Sequence, residues 1–477
     1  MTPPVQHPDE TTSNAAREQI AQFEPRTLRT YTPTQAVLVR SAGVFHWTPE
    51  GRRLYDFTSG VLVANLGHNP SGWLDRFTQY MEWPRGNETS GANGQPSGYS
   101  GALPMSAYNA ITPVEAAATR RLVALLQNCP GGRKLEQVLW AASGSEAIQK
   151  ALWASLARDK TRDMIIATRF GFHGKKGLAG AVTGCETDHD RDPRVRFITF
   201  PMAECTDVSQ RDQVFDPAFY RRELEALRDQ FGRKLTALIT EPYLGGGGSY
   251  HPPRSYLQML QAFCRENDIV FILDEVQSNF GRTGALFAYE TYGLEPDIVV
   301  LGKSLANGVP VAAAVGRTDL LGSLDYGEGS DTWSANPLCC AAVLATLDEF
   351  AARDVLENCR RSSAIMEEGL IRLKELPFVA HVRGEKGGMV WGLEMCDHAG
   401  LSGADWANAS VLACYRGEGG DGIHLLGPLA NKVIRIAPPL VITEQVAAAA
   451  MKLMHRLLAS NAASSARPQP AELSIAR

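Results

Sequence analysis

Between Ala117 and Arg317 two patterns alternate, and the alternation narrows the possible folds more than any other feature of the 477 residues. Helical stretches such as Glu115 to Gln127 and Ala147 to Ala157 are separated by short apolar runs: Gln137 to Ala141, Met164 to Thr168, Arg196 to Phe200, Leu235 to Thr240, Ile269 to Leu273 and Ile298 to Leu301. Runs that short, taken in turn with helices, predict strands of a mostly parallel sheet buried on both faces. The expected fold class is α/β, a large domain with a mostly parallel sheet covered by helices, plus a smaller α+β domain built from both chain ends. Ligands of such sheets bind beyond the carboxyl ends of the strands, so the polar residues just after each apolar run are the candidates for chemistry.

The smaller domain is expected from residues 31–75 together with 340–459, and the large one from 76–339. After residue 340 a long helical stretch leads to strand-like runs at Val379 to Val382, Met389 to Met395 and Val433 to Ile436, then to a helix near Glu444 to Leu458. Residues 1–30 and 460–477 read as polar tails. The Gly/Ser/Asn-rich stretch 85–101 reads as a lid or an insertion. A hydrophobic content of 44% excludes a disordered chain, and 47 basic against 52 acidic residues, well interspersed, leave no basic face for a nucleic acid. Nine cysteines show no metal-ligand spacing, and Cys339 and Cys340 fall in an Ala-rich helix core, so reduced thiols are expected. With no signal-like start and no membrane span, the expected location is the cytoplasm.

Four pieces follow the apolar runs. Lys303 comes directly after Leu301-Gly302, either as a solvated lysine or, if buried, as a neutral amine able to form a Schiff base. Asp274 ends the run IVFIL; a buried carboxylate there needs a cation such as a protonated pyridine nitrogen, unless it caps the next helix or binds a metal. Gly144 and Ser145 open a helix after QVLWAA, as an anion site or an ordinary cap. Phe172, followed by His173, could lie against an aromatic ring or belong to the core. No P-loop and no GxGxxG after a strand supports nucleotide binding.

Together these pieces resemble the class III aminotransferases, fold-type I enzymes of pyridoxal 5'-phosphate (PLP), over about Phe45 to Leu457. The stretch ILDEVQSNFGRTGALFAYETYGLEPDIVVLGKSLANGVPVAAAVGR carries most of the likeness, supported by DFTSGVLVANLGHNP, GSEAIQKAL, GFHGKKG, TEPYLGGGG, TWSANPLCCAA and VIRIAPPLVI. The resemblance implies that Lys303 holds the cofactor as a Schiff base and Asp274 binds its ring nitrogen. It implies that Gln277 bonds the ring hydroxyl, that Val276 and Phe172 sandwich the ring, with His173 beside them, and that Gly144 and Ser145 bind the phosphate. Thr332 would reach the phosphate of the neighbouring subunit, which implies a homodimer. Arg435 matches the position that binds the substrate α-carboxylate.

Two departures bear on the substrate. Gly246 stands where ornithine and 4-aminobutyrate enzymes usually carry a glutamate that pairs with that arginine, and Lys175 stands where they commonly carry an arginine. The expected reaction moves an amino group from an amine or omega-amino acid to a small, pyruvate-like keto acid, with ping-pong kinetics. The donor pocket is expected around Ser59 to Val63, including Val61, the Gly-rich stretch 85–101 and Tyr243. Rival readings are an aminomutase, a racemase or a decarboxylating transaminase on the same scaffold, and a non-catalytic scaffold.

Overall fold

The structure, a computed structural model, describes residues 4–84, 100–188 and 191–465. The glycine-rich stretch expected as a lid or insertion lies almost wholly outside these residues. Seven strands form the central sheet: β1 (Gln137–Ala141), β2 (Met164–Thr168), β3 (Val195–Ile198), β4 (Leu235–Thr240), β5 (Val270–Asp274), β6 (Ile298–Leu301) and β7 (Ala312–Gly316). Their order is β1-β7-β6-β5-β4-β2-β3. The pairs β3/β2, β2/β4, β4/β5 and β5/β6 are parallel, while β7 runs antiparallel between β6 and β1.

Alternate residues of these strands enter two separate cores. Phe271, Leu273, Val299 and Leu301 join one cluster, while Val270, Ile272, Ile298 and Val300 join the other with Ile148 and Leu152 of the helix Gly144–Ala157. Both faces are covered, which is why the runs contain no polar alternation. β7 reads AAAVG, and alanine signals a strand only weakly, so this strand escapes prediction from pattern alone.

Two further sheets flank this one. The first runs Arg40–Ala42, Phe45–Trp47, Arg53–Asp56 and Asp421–His424, the last pair parallel, and thus joins both ends of the chain. The second is antiparallel, from Val379–Gly384, Trp391–Met395 and Val433–Ile436. The first 30 residues are not simply a tail, since they contain the helix Thr11–Phe23. Polar contacts hold it: buried Arg17 donates to Glu10 at 2.7 Å and to the Tyr415 hydroxyl at 3.2 Å, an anchorage no apolar stripe announces. The last helix, Glu444–Ser465, likewise runs beyond residue 460 into the expected tail. Among the described residues no helix is long and apolar enough to cross a membrane.

Candidate active site

Five strand ends converge on one cavity. Asp274 closes β5 and Lys303 follows β6 by two residues; the register sets Asp274 beside Val300, so the two side chains leave neighbouring strands at the same edge. Glu241 follows β4, Phe172 and His173 follow β2, and Ser143 follows β1. β7 begins beside both Ala141 and Leu301, which brings the helix after β1 to the same edge as Lys303.

The carboxylate of Asp274 is buried and meets His173 Nδ1 at 2.7 Å through Oδ2, while Oδ1 accepts the Val276 N–H at 3.0 Å. It therefore serves a local turn and a long-range pair together. The adjacent Glu275 points elsewhere and accepts the N–H groups of Ala288 and Tyr289, both at 2.7 Å. Burial pushes Glu275 up to about 8, and its work is structural.

Lys303 is half-buried, and its φ of +48° places a non-glycine residue in the left-handed region. Burial pushes its amine down to about 8 against the pull of the Asp274 carboxylate, with Arg435 pushing the same way as burial. At neutral pH this multiplies the neutral fraction roughly 300-fold over an ordinary lysine. Such an amine is a competent nucleophile and proton carrier.

Glu241 is the residue that pattern reading passed over. It is buried, accepts the Phe172 N–H at 2.9 Å and the Gly245 N–H at 3.3 Å, and is pushed up to about 7 by burial and by Asp274, with His173 opposing. Only its place directly after the apolar run Leu235 to Thr240 marks it in the sequence.

The helix Gly144–Ala157 begins with a capping box in which Ser143 Oγ accepts the Glu146 N–H. Ser143 does the capping, so Gly144 and Ser145 occupy the first turn, where helix N–H groups face outward. Val276 packs closely beneath: a Cβ on Gly144 would come within 3.1 Å of Val276 Cγ1, and one on Gly302 within 3.3 Å. The cavity measures about 360 Å³ and is lined by Gly144, Ser145, Phe172, His173, Glu241, Asp274, Val276, Gln277 and Lys303 among others.

These features form a consistent set for one kind of ligand. A helix N-terminus suits a phosphate, a buried carboxylate suits a protonated ring nitrogen, an amine of lowered pKa suits an aldehyde, and Val276 with Phe172 suits a flat ring. The family model for Aminotransferase class-III matches residues 103–458. The chain belongs to the class-III aminotransferases. It is 31% identical over 431 residues to the 2-aminoadipate transaminase of Pseudomonas putida, covering 87% of this chain and 93% of the relative. It is 27% identical over 430 residues to the acetylornithine aminotransferase of Oceanobacillus iheyensis, covering 88% and 92%. The solved (S)-enantioselective omega-transaminase of Thermomicrobium roseum superposes with a TM-score of 0.73 at 26% identity, covering 94% of each chain. Class-III aminotransferases use PLP, and this chain is such an enzyme.

Of the residues singled out in the sequence, Gly144, Ser145, Phe172, His173, Asp274, Val276, Gln277 and Lys303 all line the cavity of this aminotransferase. Phe172 is 41% exposed, so it belongs to the site's rim rather than to the core. Arg435 and Tyr243 are buried one layer behind: Arg435 Nη1 donates to Gln277 Oε1 at 2.9 Å, and the Tyr243 hydroxyl donates to the Gln277 carbonyl at 3.3 Å. Three more lie outside the cavity lining and make no such contact with it through Gln277. Lys175 and Thr332 are exposed, and Val61, 39% exposed, lies on the left-handed turn Ser59–Leu62 beside the lining residue Val63. For Lys175 the reason is local: its side chain is exposed on the segment between Gly174 and the short, largely buried helix Gly177–Ala181.

Proposed function

We propose that this aminotransferase moves an amino group from an amine or omega-amino acid to a small monocarboxylic keto acid of the pyruvate type. Charge carries the reading. Arg435 is buried with its Nε unpartnered among the described residues, and its guanidinium donates to the neutral amide of Gln277. A buried guanidinium with no ion pair among the described residues favours an incoming carboxylate, which replaces a neutral partner with a charged, bidentate one. Gly246 holds only its backbone against Phe172, so no gating glutamate competes from that position. Apart from Lys303 the cavity lining offers no lysine or arginine for the second carboxylate of a 2-oxoglutarate, and Lys175 lies outside it. An unpaired carboxylate in a dry cavity disfavours that acceptor.

The residues divide the work as follows. Gly144 and Ser145 would hold the phosphate, Asp274 would keep the ring nitrogen protonated, and Gln277 would orient the ring hydroxyl. Bound PLP supplies an aldehyde that accepts the amino group and a ring that takes up an electron pair. Lys303 would hold the aldehyde and, as a neutral amine, would serve as the base that takes the proton from the donor carbon. His173 holds Asp274 in place through the 2.7 Å contact. The second half-reaction runs the same steps backward, which gives ping-pong kinetics. The enzyme works as a homodimer in the cytoplasm, with Thr332 serving the neighbouring subunit's phosphate site; exposed Trp333, Tyr108 and Ile111 support an apolar contact surface, and nine free thiols suit a reducing compartment.

The test is a side-by-side measurement of initial rates with pyruvate and 2-oxoglutarate against a panel of amines and omega-amino acids. The expected result is a kcat/KM at least tenfold higher for pyruvate. Preference for 2-oxoglutarate by a similar factor overturns the reading, as does turnover without any keto acid.

A further inference from the structure

Amino transfer leaves unused a group of side chains on the four-stranded sheet. His46 pairs with Leu54, Asp56 lies two residues further along the same strand, and His424 pairs with Asp56 in the parallel register. The two-residue alternation of strands sends all three to one face. His68 joins them from the segment bridged to Gly43.

The contacts are close. Asp56 Oδ2 lies 2.7 Å from His68 Nε2 and 3.5 Å from His46 Nε2, and the ligand atoms of these three residues all fall within 4.8 Å of one another. His46 and Asp56 are buried. His46 Nδ1 is held by Ser41 Oγ at 2.7 Å, which fixes the ring and leaves Nε2 facing Asp56. Metal-binding histidines are commonly oriented in this way by a bond at the second nitrogen. His424 stands edge-on to His46 with ring centroids 5.4 Å apart, and its Nδ1 is buried without a hydrogen-bond partner.

We propose that His46, Asp56, His68 and His424 form a zinc site distinct from the PLP cavity. Imidazole nitrogens with one carboxylate oxygen are a typical zinc donor set, whereas calcium and magnesium prefer oxygen alone. Tetrahedral bonds of about 2.0–2.1 Å separate ligand atoms by roughly 3.3 Å, within the span that His46, Asp56 and His68 already show, and His424, paired with Asp56 on the same face, stands as the fourth donor. The site also reaches the catalytic cavity. Asp56 Oδ1 accepts the Thr58 N–H and hydroxyl, both at 2.7 Å, and the Ser59 N–H at 3.1 Å. These bonds hold the start of the left-handed turn Ser59–Leu62, which leads to Val63 in the cavity wall. An ion on Oδ2 braces that turn from behind and ties the two ends of the chain together.

The experiment uses the full-length PLP-loaded enzyme, stripped with EDTA, re-exposed to zinc chloride and passed through gel filtration for metal analysis, with calorimetric titration alongside. The expected result is one zinc per chain, a higher thermal midpoint with zinc, and zinc affinity at least tenfold weaker in His46→Leu/His424→Leu, with the cofactor's visible absorption retained. His68→Gln, which keeps a hydrogen-bonding side chain beside Asp56, is expected to weaken zinc comparably and serves if the double variant does not fold. Absence of retained zinc in the wild type, or equal zinc in the wild type and the folded variants, overturns the proposal and leaves a hydrogen-bonded cluster only.

Discussion

Gly245→Ala reaches the heart of the site by a short route. A Cβ at this position would sit 2.4 Å from Gln277 Oε1, 2.7 Å from Cδ and 2.8 Å from Nε2. That is about 1 Å inside ordinary van der Waals contact. All three atoms belong to one planar amide, so the amide as a whole must move. The movement breaks the 2.9 Å bond from Arg435, whose Nε already lacks a partner among the described residues. Loss of a hydrogen bond by a buried charged group costs about 1.5–3 kcal/mol. The expected outcome is a holoenzyme destabilised by about 2 kcal/mol, read from urea denaturation followed by fluorescence and circular dichroism, with coincident transitions required. Cofactor retention is expected to weaken as well. In a Gln277→Ala background the added methyl meets no amide, and its cost is expected to fall below about 0.5 kcal/mol. An equal cost in both backgrounds refutes the collision with Gln277 and places the effect in the backbone around Gly245.

Three further outcomes follow from burial and from backbone strain. Lys303→Met is expected to abolish turnover and to stabilise the cofactor-free protein by up to about 3 kcal/mol at pH 7; because burial lowers the folded value to about 8, the cost of the charge is complete below that pH and fades as pH rises toward the unfolded value, so a gap that does not close with rising pH contradicts the assignment. The rate at which cofactor-free wild type regains visible absorption on adding PLP is expected to rise with pH up to about 8 and then level. Val61 has a φ of +68° and is partly exposed, so Val61→Gly is expected to raise the thermal midpoint, with about 1–2 kcal/mol of left-handed strain relieved; a fall in the midpoint means that packing of the side chain outweighs the strain.

Much of the fold can be read along the chain. The runs predicted as strands in the large sheet all prove to be strands, because burial on both faces demands continuous apolar residues and leaves an unambiguous local trace. β7 leaves no such trace, since its alanines owe their strand conformation to neighbours on both sides. The helix Thr11–Phe23 is hidden for the opposite reason, being anchored by Arg17, Glu10 and Tyr415 across nearly the whole chain.

The same division runs through the site. Sequence by itself determined which residues could do the chemistry: Lys303 and Asp274 after apolar runs, Gly144 and Ser145 at a helix start, Phe172 and His173 after β2. Spacing and strand ends are local properties, and a single chain displays them. Only the tertiary structure decided what each residue meets. It paired Asp274 with His173, turned Glu275 away to cap a short helix, buried Glu241 behind Phe172, gave Arg435 the Gln277 amide as partner and left Lys175 outside the cavity lining. Those contacts depend on strand order and register between segments far apart in the chain. Desolvation, which moves Lys303 down and Glu241 up, exists only once those segments enclose them.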